Sequence, residues 1–407
     1  TALNRTRLSK IVTFAHRNIP FYRKKWDQAG FSEPNIKFFE SLPILTKEDV
    51  RENAKYIKDP SLSFSELIRS TTGGSTGEPL TTYFDPRIPH SLISGRALNW
   101  WGASFADNSG FAYRTVPDGR TKLIQKMLLY PTRRTWIKAS EMSSMNISKF
   151  IKDLIRIKAT YIVGYVGSIE VLVDYIERHS IRLPSLKFVW TTASPLPESK
   201  RRYFESILNC PVYTQYGSCE VHWISCECKQ KSGMHIFNDI RHVEILDDNG
   251  QPVPAGEYGN VVVTDLLNYA FPLIRYALGD RGRLLDKQCE CGINFPLMDY
   301  VKGRTTDSII TKTKGMIPGE FWTTIFDDFA DSIDRFQVLQ RPDYSLTIFY
   351  RPNKNKNFFE ALSSVESTIR DMIDHDMELR FIEKESFETT NGKVSYVVSE
   401  VKNPRFN

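Results

Sequence analysis

Between Leu8 and about Gly30 the apolar residues Ile11, Val12, Phe14 and Ala15 recur at helical spacing, which predicts a helical opening. A further helix is predicted at ILTKEDVRENA, where Thr46 and Asp49 stand three apart, the spacing of a side-chain capping arrangement. Ser70 to Leu80 then breaks all periodicity: three glycines and five hydroxyl residues leave no apolar face to bury, so a loop is expected. Beyond it, the short apolar or β-branched runs 161–166, 187–192 and 211–216 alternate with helix-patterned segments such as SIEVLVDYIER. That strand–helix–strand rhythm is the mark of an α/β fold with a parallel sheet. From His242 two strands joined by DDNG and PAGE turns predict a β-rich section, and beyond Gly303 the pattern becomes βαβ-like, with FFEALSSVESTIRDMI as its clearest helix.

The chain has 407 residues, 41% of them apolar and 25% charged, which excludes disordered, collagen-like and coiled-coil classes. The length suggests two or three lobes. A domain boundary is placed near residues 303–308. The 54 basic and 48 acidic residues leave a net charge of +6 without any run of like charge, so nucleic acid is not the expected partner. The longest apolar stretch, Tyr161 to Ile176, is interrupted by Gly164, Gly167, Ser168, Glu170 and Asp174 and predicts no membrane span. The N-terminal residues lack an uninterrupted apolar core, and the expected location is the cytoplasm.

Five segments carry candidate chemistry. The glycine and hydroxyl loop from Ser70 to Pro79 offers backbone and side-chain donors to an anion, although Glu78 and Pro79 stand where a Walker loop would have Lys-Ser/Thr. YTQYGSCE, Tyr213 to Glu220, follows a predicted strand, so Glu220 would arrive at a strand's carboxyl end, where such sheets bind ligands; a carboxylate there suits Mg²⁺ on a phosphate. PLIRYALGD ends in Asp280, a candidate for ribose hydroxyls. KGRTTD, Lys302 to Asp307, and TNGKVS, Thr390 to Ser395, complete the series.

In this order and at these separations, the five segments resemble the signatures of the adenylate-forming superfamily, specifically the phenylacetate-CoA ligase family and its relatives in polysaccharide clusters. The opening runs IPFYRKKWDQAG and LPILTKEDVREN are also similar to that family's N-terminal helices. The resemblance implies an α/β fold with a large N-terminal adenylation domain (1–303) of parallel and mixed sheets with a β-rich subdomain. A hinge (304–308) and a small, mobile α+β C-terminal domain (309–407) would follow. It implies that Thr71, Thr72, Ser75, Thr76 and Gly77 grip the phosphates of ATP, and that Ala193, Ser194, Gln215, Tyr216 and Gly217 surround the adenine. Glu220 would hold Mg²⁺, Asp280 and Arg304 would reach the ribose, and Lys393 would be the catalytic lysine. Tyr165 and His222, with Trp100 and Trp101, are candidate walls of the acyl pocket. Cys219 stands where the family has threonine, Thr306 and Asp307 depart from the hinge pattern, and Glu78 replaces the lysine common in the superfamily.

The reaction so implied is ATP-dependent activation of a small-molecule carboxylic acid as an acyl-adenylate, with transfer to coenzyme A. An amine acceptor, such as an amino compound joined to a sugar carboxylate, is the alternative, and a non-catalytic binding protein on the same fold is the alternative of another class. The family includes dimers, so an oligomer is compatible with the resemblance. A carboxylate is already ionised at neutral pH, so no general base and no Ser/His/Asp triad is needed. All six cysteines fall between Cys210 and Cys291, four of them in two Cys-x-Cys pairs. With His235 they offer donors for a tetrahedral ion, and buried free thiols are the other reading. The resemblance favours Cys228, His235, Cys289 and Cys291 as ligands of a structural Zn²⁺, with Cys226 to spare.

Overall fold

The computed structural model describes residues 2–31, 36–71, 80–113, 116–139, 142–301, 303–304, 309–312, 316–317, 322, 325–326, 329, 332–352, 358–373, 377–385, 387 and 397–401. They form two compact units, one built from 1–108, 126–133 and 213–301, the other from 109–125, 134–212 and 302–407.

In the first unit the predicted opening helix is two helices, Ala2–Asn18 and Pro20–Gln28. Pro20 has no N–H to donate and sits at the first position of the second helix, where none is needed, so the chain breaks at Ile19. The helix Lys47–Ile57 begins as expected: Thr46 Oγ1 accepts from the backbone N–H of Asp49, and Asp49 accepts from that of Thr46. These helices pack on an antiparallel sheet of Arg241–Leu246, Gly259–Asp265 and Tyr276–Gly282. The Tyr22 hydroxyl ties them to it, donating to the Pro272 carbonyl at 2.8 Å and accepting from Ile274 N–H at 3.1 Å. A second run of strands pairs Val212–Tyr216 with Ser225–Glu227, then Met234–Ile236, Leu297–Met298 and Leu284–Leu285, all antiparallel.

The second unit contains the parallel strands Ser109–Tyr113, Arg134–Lys138, Tyr161–Tyr165 and Phe188–Thr192. The helices Ser144–Arg156, Val166–Arg178 and Glu198–Leu208 bury their apolar stripes with these strands in one core. Its C-terminal residues form a four-stranded sheet of Ile333–Gln340, Leu346–Pro352, Leu379–Glu383 and Val397–Ser399 around a core of their own. The predicted βαβ unit is there: Leu346–Pro352 and Leu379–Glu383 are parallel and joined by the helix Phe358–Met372. No described helix is long and apolar enough to cross a membrane.

Candidate active site

The predicted loop at Ser70 begins later than its composition suggests. Ser70 and Thr71 belong to the strand Ile68–Thr71, paired with Thr81–Phe84 in the register Ser70 to Thr82 and Thr71 to Thr81. Thr72, Ser75, Thr76 and Gly77 lie outside the described residues. Ser70 Oγ donates to the Cys219 carbonyl at 2.9 Å, tying the base of this hairpin to the turn that carries Glu220.

That turn is built by its own side chains. Ser218 Oγ accepts from the N–H groups of Glu220 and Val221 at 3.2 and 3.0 Å, and Ser218 N–H donates to the Val221 carbonyl at 3.0 Å. Gly217 is required by close approach: a Cβ there would lie 2.7 Å from the backbone nitrogen of Trp223. The result is a tight reversal between Tyr216 and Ser225 that leaves Glu220 buried at 5% exposure.

Asp280 reaches the same place by a different device. Gly259 and Asn260 pair with Gly282 and Arg281, whereas Val262 pairs with Ala277, so the strand Tyr276–Gly282 bulges at its middle. Gly279 occupies the bulge with φ +77°, a conformation open to glycine. The bulge brings Asp280 under Tyr216, whose hydroxyl donates to Oδ2 at 2.8 Å. Tyr276, at the start of the strand, donates to Glu220 Oε1 at 3.2 Å. Burial and the negative charge of Glu220 push the Tyr276 hydroxyl far above its ordinary value, so it remains a donor. Sequence reasoning missed Tyr276, although it lies inside the segment that supplied Asp280.

Glu220, Asp280, Tyr216, Gly217 and the hairpin base therefore converge within one unit. Glu220 Oε2 accepts no hydrogen bond among the described residues, so a hard carboxylate oxygen is free for a cation such as Mg²⁺. Gln215 lies in the same strand as Tyr216, opposite Cys226. Ala193 and Ser194 belong to the other unit, where they follow the carboxyl end of the strand Phe188–Thr192. Ala193 holds φ +74°, a strained backbone for a residue with a Cβ and of the kind stored at ligand sites. Arg304 is in the short strand Gly303–Arg304. Lys393 lies outside the described residues, as does the hinge 304–308 apart from Arg304.

Of the acyl-pocket candidates, His222 is half-buried in the first unit, stacked on Phe84 at 4.4 Å between ring centroids and edge-on to His90 at 5.3 Å. Burial, then the neighbouring His90 and Arg241, push its pKa down to about 4. It is neutral at physiological pH and unsuited to act as a base. Tyr165 is in the second unit, at the cap of the helix Val166–Arg178 and edge-on to Tyr113. Trp101 is ordinary core, stacked on Tyr213 and donating to the Glu227 carbonyl at 2.9 Å. Trp100 packs among His235, Phe237 and Phe295.

His242 is likewise driven to about 4, by burial and then Arg275, with Asn4 2.9 Å from its Nδ1. Both imidazoles are neutral when folded but titrate near 6.5 when unfolded, so the unfolded chain binds more protons between these values. Their contribution to stability is complete above about pH 6.5 and is lost as the pH falls through about 4. Melting temperature is expected to drop over that window, and the double variant His222→Gln, His242→Gln to show a flatter profile.

The cysteines separate into two groups. Cys228, His235, Cys289 and Cys291 bring one ligand atom each to within 4.8 Å of one another. Cys228 Sγ is 3.6 Å from Cys289 Sγ, and Cys291 Sγ is 3.3 Å from His235 Nε2. A tetrahedral zinc with sulfur at about 2.3 Å would separate two sulfurs by about 3.8 Å, so the donor set and its spacing fit that ion. Cys226 is not among the four; it is fully buried, and burial raises its thiol well above the usual range.

No family model matches the chain. Among curated proteins it is 25% identical over 368 residues to a phenylacetate-coenzyme A ligase of Thermus thermophilus, an alignment that covers 85% of this chain and 79% of that protein. It is 26% identical to a phenylacetate-coenzyme A ligase of Escherichia coli, covering 85% and 78%. To Protein CapK of Staphylococcus aureus it is 22% identical, covering 98% and 89%. Among solved structures, 2-hydroxyisobutyryl-CoA ligase in the postadenylation state superimposes with a TM-score of 0.77 at 18% identity, covering 98% of this chain and 89% of that one. The amide bond synthetase McbA of Marinactinospora thermotolerans gives 0.57 at 15% identity, covering 81% and 67%. The chain has the fold of 2-hydroxyisobutyryl-CoA ligase and is similar in sequence to phenylacetate-coenzyme A ligases.

Proposed function

We propose that this protein is an ATP-dependent ligase that converts a carboxylic acid to its acyl-adenylate and passes the acyl group to the thiol of coenzyme A. The observation that carries the reading is the convergence of Glu220, Asp280, Tyr216 and the hairpin base at Ser70 within one unit. The relatives named as coenzyme A ligases support it.

An ionised carboxylate attacks the α-phosphate of ATP without a base, so the protein's task is to position the reactants and stabilise charge. The hydroxyl and glycine loop, with Thr71, Thr72, Ser75, Thr76 and Gly77, would hold the phosphates. Tyr216 and Gly217, with Gln215, Ala193 and Ser194, would surround the adenine, and Tyr216 steadies the Asp280 carboxylate for the ribose, which Arg304 would also reach. Tyr276 fixes the rotamer of Glu220, leaving its second oxygen for Mg²⁺, which supplies charge neutralisation when bound. Lys393 would be the cation brought to the reacting groups by the C-terminal domain, 309–407, moving about the hinge 304–308. Tyr165 and His222 would line the acyl pocket. The Cys228, His235, Cys289 and Cys291 cluster would hold a structural Zn²⁺, since four protein donors leave no position for water. The expected setting is cytoplasmic.

An amine acceptor, such as an amino compound joined to a sugar carboxylate, is the second reading; one solved structure of similar fold, at 15% identity, is named as an amide bond synthetase. One experiment addresses both. Pyrophosphate and AMP release is measured with Mg²⁺-ATP across aryl, fatty and sugar carboxylic acids, alone, with coenzyme A and with amines. Release dependent on one acid is the expected result, and its stimulation by thiol or amine names the acceptor. No release with any acid, from folded protein that binds ATP, would favour the non-catalytic reading.

A further inference from the structure

Glu170, on the helix Val166–Arg178, is a carboxylate whose side chain is only 6% exposed, and it holds two cations. Lys200 Nζ lies 2.9 Å from both of its oxygens, and an Arg335 nitrogen lies 2.7 Å from Oε2. Burial opposes ionisation of Glu170, but Lys200 and Arg335 outweigh it and hold its pKa below the usual carboxylate range.

The two cations come from different places. Lys200 is on the helix Glu198–Leu208, which shares the core of the α/β strands with Glu170's own helix. Arg335 is on the strand Ile333–Gln340 of the C-terminal sheet, whose core, among the described residues, is made of residues from Ile309 onward. Its guanidinium also lies 5.8 Å over the Phe387 ring, so it is supported from its own side. A buried carboxylate that loses its only partner becomes an uncompensated charge, which is strongly destabilising. Asp265 is paired with one cation among the described residues, Arg241, 2.6 Å away with both side chains almost fully buried. Glu170 differs, because Lys200 remains when Arg335 withdraws.

We propose that Glu170 and Arg335 form a separable latch: Lys200 keeps Glu170 charged and satisfied while the C-terminal sheet docks and undocks through Arg335. Arg335 is then a positioning residue that sets the balance between adenylation and acyl transfer. The undocking and its consequence rest on the mobile C-terminal domain of the function proposed above, whereas the Glu170–Arg335 contact itself does not.

The test uses the full chain. Small-angle scattering of Arg335→Glu, which places a carboxylate against Glu170, should give a larger radius of gyration than wild type, and Arg335→Lys should restore the wild-type value. Arg335→Gln serves as the neutral variant should Arg335→Glu fold poorly. With an acid that supports turnover, the ratio of acid-dependent ATP–pyrophosphate exchange to coenzyme A-dependent AMP release should shift by about tenfold in the charge-reversed variant. A purely structural role would lower both rates together. Failure of exchange with every acid would sink the ligase reading and leave the scattering result to decide the latch. Identical scattering of Arg335→Glu and wild type at equal melting temperature would overturn it.

Discussion

Glu220→Gln is expected to lower acid-dependent pyrophosphate release by about 10²- to 10³-fold, the scale on which loss of one preorganised electrostatic group acts. The substitution is almost isosteric, and its amide oxygen can still accept the hydrogen bond from Tyr276, so the melting temperature should stay near that of wild type. What is lost is the negative charge and its affinity for a cation, so the defect should be partly relieved by raising Mg²⁺. Tyr276→Phe separates orientation from charge: it keeps the carboxylate but frees its rotamer, and a loss of about tenfold is expected from one hydrogen bond. Activity of Glu220→Gln within threefold of wild type would remove Glu220 from the proposed mechanism.

The second large effect concerns stability. Purified protein is expected to hold one zinc per chain, and Cys228→Ser or Cys289→Ser to lose it together with on the order of 10 °C of melting temperature. The reason is topological: the cluster joins Cys228 and His235, on adjoining antiparallel segments, to the distant pair Cys289 and Cys291. Without an ion, the three thiols and the imidazole are left with weak contacts to one another in place of four coordinate bonds. Cys226→Ser is the control, since Cys226 is outside the cluster and should keep the metal. Metal analysis and thermal melts with a chelator distinguish the readings, and metal-free protein with an unchanged melt would leave these as ordinary buried thiols.

Local patterns were the most legible part of the chain. The Thr46 cap, the helix Val166–Arg178 and the hairpin of Arg241–Leu246 with Gly259–Asp265 were readable because each is decided by interactions between near neighbours. The break at Ile19 was not, because periodicity runs through it and only Pro20 marks the new start. Thr71 was read as loop because a hydroxyl run has no apolar face, yet pairing with Thr81 draws it into a strand. Trp100 and Trp101 were candidate pocket walls, but a tryptophan's surroundings depend on which elements fold against it.

The sequence by itself determined the order of the chemical segments, the α/β and β-rich composition of the chain, and the presence of two Cys-x-Cys pairs and a nearby histidine as donors. These follow from residue type and spacing, which are local. Only the tertiary structure decided that Tyr276 holds Glu220, that a bulge at Gly279 turns Asp280 to Tyr216, that Cys226 is left out of the cluster, and that Glu170 answers to two cations. Each of these joins residues far apart in the chain or depends on strand register. A pattern of polar and apolar positions can say that a carboxylate is present, but its partner is chosen when the strands pair and the helices pack.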